Sequence, residues 1–245
     1  MLKIFRKVRK NMLKNNKITA YLLYAIGEII LVMIGILLAL QVNNWNENRK
    51  QKTELNNILR TVAYDLETDT LVAGQVVRLY DTLQVKSNII INKQLKKENY
   101  KDCIECASLT TFYSPFNIQT KGYELLKNLS SETTNQKDSL IISIIQIYSL
   151  FKPIIDKNNE RLENEVMKNL NELREYSWFV DLSQGKFNDE MIAYFTESED
   201  YRKRVALHNM LATNNHLAMT KNYKIQATEL LRRIQIRLSQ NTSER

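Results

Sequence analysis

From Ala20 to Val42 the chain carries 23 residues that are apolar except for Glu28 and Gln41. At ~1.5 Å of rise per residue, such a run makes a helix long enough to cross the ~30 Å hydrocarbon core of a bilayer. Seven Lys and Arg side chains and no acid precede it within residues 1–19. Tyr21 and Tyr24 sit near one end of the run and Trp45 just past the other, where aromatic rings favour the headgroup region. A cleavable leader would have a shorter apolar core ending at a small-x-small site. The stretch "LLALQVNNW" offers no such site, so the run reads as an uncleaved anchor. A buried soluble helix would explain neither the basic block nor the flanking aromatics.

Basic residues beside a span stay in the cytoplasm. This expectation puts residues 1–19 in the cytoplasm, 20–42 across the membrane, and 43–245 outside the cytoplasm. Arg49, Lys50 and Lys52 weaken the asymmetry, but Glu47 and Glu54 interleave with them. The net charge of +8 belongs to the basic block, because the remaining 28 basic and 27 acidic side chains nearly cancel. A near-neutral body lacks a phosphate-tracking surface, which argues against nucleic acid as a partner and leaves the lipid bilayer.

Glu28 lies about 10 Å into the hydrocarbon by helix rise. An ionised carboxylate there costs a few kcal/mol. It is either protonated or faced by a like helix, or it serves partner recognition or an ion pathway; the residues leave both open. Gly35 and Ala39 form a small-xxx-small step that lets backbones approach closely, with Gly27 and Glu28 near that face. Gly27, Glu28, Gly35 and Ala39 are therefore the candidate transmembrane helix contact.

The body reads as all-α, an extracytoplasmic bundle of long helices. Gly is scarce at 5 and Pro at 2, too few turn-formers for a many-stranded sheet. Leu55, Val62, Asp69, Val76 and Leu83 interleave with Leu59, Leu66, Ala73 and Tyr80 in the 4-3 spacing of a bundle seam. Asp69 is its one polar break. This predicts a helix over 55–83, continuous with the span. A loop-like stretch follows at Lys96–Pro115, then a helix from Gln119 to about Leu129. A third helical region starts near Gln136, and Pro153 is expected to kink or interrupt it near Phe151. Leu162, Val166, Leu170 and Leu173 line one side of its second half. "SQGKFNDE" is the clearest turn. The last helix is expected over Asp200–Leu238, burying Leu207, Leu211, Leu217, Leu231, Ile234 and Leu238.

Tests for chemistry come out bland. Cys103 and Cys106 form a C-x-x-C, but no βαβ unit reads around them, as a redox catalyst would need. In an oxidising compartment the pair is expected to form a small local disulfide; otherwise both thiols are free. His208 and His216 lie about 12 Å apart by helix rise and cannot share one zinc ion. Glu197, Glu199 and Asp200 fit a solvated helix start better than acid–base work. No phosphate-binding loop, zinc-protease or nucleophile-elbow motif is present. The expectation is a protein that is not an enzyme and takes no cofactor and no metal.

The stretch "YAIGEIILVMIGILLALQVNNWNENRK", preceded by "FRKVRKNMLKNNKITAYLL", resembles a bacterial family, domain-of-unknown-function family 6090, common in flavobacteria and their relatives. "FNIQTKGYELLKNLSS" resembles its central segment, though less closely. The positions marked are Gly27, Glu28, Gly35, Gln41, Asn43, Asn44, Trp45 and Asn46. The resemblance implies a single-pass inner-membrane protein with a helical periplasmic domain, and it implies no activity. Two functions follow as expectations. One is an interaction protein whose periplasmic domain binds another envelope protein, or its own copy. The other is a periplasmic small-molecule sensor. About 19 cytoplasmic residues cannot hold an output domain, so a sensor would signal through a partner.

Overall fold

The computed structural model describes residues 18–132 and 138–243. Among the described residues every regular element is helical, so the chain is all-α. The chain divides into two compact units, Met1–Leu55 and Asn56–Arg245. One helix, α1 (Ile18–Ile91), carries residues of both. The basic segment expected at 1–19 lies outside the described residues except for Ile18 and Thr19.

In the first unit the apolar side chains of α1 stand bare; Leu31 is 70% exposed and Ile29 61%. Every interior backbone group is satisfied within a helix, so the chain can present these side chains to lipid without exposing polar backbone. This part of α1 is long and apolar enough to cross a membrane. A second helix, α3, meets the same length and composition test, but Leu140, Ile141, Ile144, Ile147, Tyr148 and Phe151 on it are buried inside the bundle.

In the second unit the seam of α1 is where its apolar spacing puts it. Leu59, Val62, Leu66, Ala73, Val76 and Tyr80 are all buried, and Leu83 is half-buried. The helix runs past the expected end to Ile91, where Lys93 takes a left-handed φ of 59°. The amide of Gln94 bonds the carbonyl of Ile89 and that of Lys93 bonds Ile90, closing the helix with a Schellman motif. The stretch expected as loop contains a 3₁₀ segment, Lys97–Ser108, before the chain becomes irregular.

The helices α2 (Lys121–Glu132) and α3 (Ser139–Leu173) follow. Asp138 caps α3 by accepting from the Leu140 amide at 2.9 Å. Of the kink or interruption expected at Pro153, the interruption does not occur: α3 runs through it. Pro153 is exposed, and so is Ser149, whose carbonyl the proline deprives of its donor. Water can serve that carbonyl, which removes the main penalty. Short α4 (Phe179–Ser183) leads into a turn at Gly185, φ +71°. Then come α5 (Asp189–Glu197), capped by Asn188, and α6 (Glu199–Asn209), capped by Ser198.

The last expected helix is three pieces: α6, a π-helical stretch Met210–Leu217, and α7 (Ala218–Ser243). Of the six residues expected to be buried there, only Leu217 and Ile234 are; Leu207 is exposed. The π stretch takes more residues per turn, so the inward face advances in steps of four from His208 through Ala212 and His216 to Thr220. A 3.6-residue period cannot follow that drift. Helix α7 packs antiparallel on α3: Arg237 reaches Asp138 at 3.2 Å and Arg233 reaches Ser143 at 3.1 Å. A second core gathers Trp178, Met191, Phe195, Tyr201 and Val205 around Cys103 and Cys106.

Candidate functional site

Two carboxylates one turn apart on α1, Asp65 and Asp69, are buried in the bundle. Both point at the start of α2. Asp65 accepts from the Gly122 amide at 2.6 Å. Asp69 accepts from the Gln119 amide at 3.1 and 3.3 Å and from the Tyr223 hydroxyl at 2.6 Å. The opening amides of a helix have no partner of their own, and the helix dipole favours negative charge there. Asp65 is thus a cap supplied to another helix, and Asp69, the polar break in the seam of α1, holds the backbone just before that helix. Gly122 approaches so closely that a Cβ on it would stand 2.6 Å from the Val62 backbone nitrogen.

Burial raises the Asp69 carboxyl from 3.8 to about 6, and the nearby Asp65 adds to the rise; the bonds from Tyr223 and Gln119 oppose it. Burial and the Asp69 charge push the Tyr223 and Tyr148 hydroxyls up. Tyr148 stacks on Tyr123 at 4.9 Å.

Upstream of this cap, the irregular backbone between Ser108 and Lys121 threads the bundle as a strap. Buried side chains from three helices, α1, α3 and α6, satisfy it and the end of the 3₁₀ segment before it. Tyr201 donates to the Cys106 carbonyl, and Asn169 to that of Thr110 at 3.1 Å. His208 Nε2 lies 3.0 Å from the Phe112 carbonyl. The Tyr80 hydroxyl accepts from the Ser114 amide at 2.8 Å. Asn159 donates to the Phe116 carbonyl at 2.7 Å and accepts from its amide at 3.3 Å. A buried backbone with no ladder of its own needs such partners.

Some buried polar atoms have no hydrogen-bond partner among the described residues: Thr110 Oγ1, Tyr148 Oη, Trp178 Nε1 and both ring nitrogens of His216. His216 sits edge-on to Tyr80 at 5.0 Å, with the Ser114 carbonyl near it but outside bonding geometry. Burial lowers His216 to about 4 and also lowers His208, so both rings are neutral near pH 7. With Asp69 1% exposed, what the cluster does is hold backbone.

The candidates named from the sequence fall elsewhere. Glu28, Gly35 and Ala39 share one face of α1, and Gly27 lies about a quarter-turn round from it. All but Gly27 are accompanied by bare apolar neighbours on that face, and nothing lies within 4 Å of where a Cβ on Gly27 or Gly35 would stand. Cys103 and Cys106 are joined, with Cα atoms 5.3 Å apart, in the second core. His208 and His216 are bundle-interior residues. Glu199 and Asp200 open α6, where Asp200 pairs with Arg204 at 2.7 Å and Glu199 with Lys93 at 2.6 Å. Sequence reasoning missed Asp65, Tyr223, Asn159 and Asn169. The one available signal was a second acid four residues before Asp69.

Between α3 and α7 runs an open groove of about 880 Å³, lined by Gln146, Leu150, Ile225, Gln226, Glu229 and Arg233 among others.

No curated protein and no solved structure matches the chain. The model of a family of unknown function (DUF6090) matches residues 28–213, about three quarters of the chain, from the apolar stretch of α1 through the strap to the π-helical stretch. The chain belongs to that family.

Proposed function

We propose that this protein is a single-pass inner-membrane protein whose helical domain, held in the periplasm, binds another envelope protein. The observation that carries the anchor is the bare apolar face of α1, directly after a block of seven basic residues without an acid. Such a face is stable only in lipid or against another helix. The binding role rests on how the domain uses its polar interior. Asp65, Asp69, Asn159, Asn169 and His208 all hold the chain's own backbone. Its exterior is what the domain offers.

The test is crosslinking in native membranes, affinity capture of the full chain, and mass spectrometry. An envelope protein captured by the full chain, and lost when residues 56–245 are replaced by an unrelated helical domain, is the expected result. Equal capture by both chains contradicts it. The α3–α7 groove supports a second reading, periplasmic small-molecule sensing, because its volume is in the range of ligand sites.

A further inference from the structure

Helix α7 presents a stripe that no described residue covers. Ile225, Glu229, Arg232 and Ile236 follow at steps of four, three and four, which keeps them on one face of a helix. Ile225 is 68% exposed and Ile236 43%; the side chains of Glu229 and Arg232 are 56% and 60% exposed. The opposite face, Tyr223, Ala227, Leu230 and Ile234, is buried in the bundle.

The order apolar, acidic, basic, apolar is its own complement when reversed. Laid antiparallel on a second α7, about a centre between Leu230 and Leu231, Ile225 meets the partner's Ile236 at both ends. Glu229 then meets the partner's Arg232 twice. The 4-3-4 spacing is that of a coiled-coil seam. A parallel pairing would set Glu229 against its own copy, which like charges oppose.

We propose that this stripe is a two-fold, antiparallel contact between two copies of the chain. Leu150 of α3, 54% exposed, lines the groove beside Ile225 and widens the apolar end of the contact. Within one chain Glu229 already pairs with Arg232 at 2.7 Å. An exposed pair of this kind contributes little, so exchanging it for the partner's charge costs little. The stripe spans about 17 Å of helix, which puts the contact at the small end of specific interfaces and makes it concentration-dependent. A second copy fits this stripe because all four of its residues find a partner in the same four residues reversed. The face lies on α7, beyond the residues matched by the family model.

The experiment uses the full chain purified in detergent micelles, with Ile225→Cys and Ile236→Cys made separately and mixed under oxidation. A covalent dimer at least tenfold more abundant in the mixture than in either variant alone is expected. Adding Glu229→Arg to both chains should cut it at least tenfold, and adding Arg232→Glu as well should restore it. Dimer from either variant alone at the level of the mixture, no dimer from the mixture, or a dimer indifferent to Glu229→Arg would each overturn the proposal. Only the purified chain is present, so failure here leaves the heterologous partner standing, and failure to capture that partner leaves this contact standing.

Discussion

Asp69 is legible in the sequence as a polar residue in an apolar seam, but its role is not. The residues it holds, Gln119 and Tyr223, lie 50 and 154 positions away. Its pH behaviour is where the role becomes measurable. The carboxyl sits at about 6 in the folded chain against 3.8 ordinarily. The folded state therefore binds this proton more tightly than the unfolded one. Stability from this group is full below the ordinary value and is lost as pH rises through about 6, by about 3 kcal/mol in all. That sign is opposite to ordinary acid denaturation, to which the other carboxylates contribute. Asp65, Tyr148 and Tyr223 face the group, and all three residues are kept in Asp69→Asn. The melting temperature of the full chain, followed from pH 4 to 7, should fall relative to that of Asp69→Asn as pH rises. Parallel curves would show that the buried carboxyl does not titrate in this window.

At the scale of elements, apolar spacing predicts well where a helix packs through apolar residues alone. The seam of α1 is buried as read, because a regular period survives any choice of partner. It fails at two places for distinct reasons. The π-helical stretch breaks the 3.6-residue period, so Leu211 slips to the margin while Ala212 and His216 turn in. The strap reads as a surface loop because its composition is that of one. What buries it is a set of Asn, Tyr and His side chains on helices 34 to 96 residues away in sequence. On α3, Leu170 yields full burial to Asn169, which has the Thr110 carbonyl to serve. Asn159→Leu tests the strap. It orphans both backbone groups of Phe116, each worth ~1–3 kcal/mol when left unpaired. Urea denaturation of the full chain should show a loss of about 3 kcal/mol. A loss under about 0.5 kcal/mol would mean the strap is held by packing alone.

For the whole molecule, the dominant sequence feature is the apolar run of residues 20–42, and the structure leaves that same stretch of α1 bare. The domain that follows has an interior devoted to its own backbone and a charged surface that is close to neutral in sum. The family it belongs to is one of unknown function, so membership names no activity. The proposed function requires the chain to cross the membrane once, basic segment inside. Reporter fusions measure this directly: alkaline phosphatase, active only in the periplasm, is joined after Lys10 or after Arg245. The account predicts an active enzyme after Arg245 and a silent one after Lys10; the reverse pattern, or silence at both junctions with full expression, would contradict it.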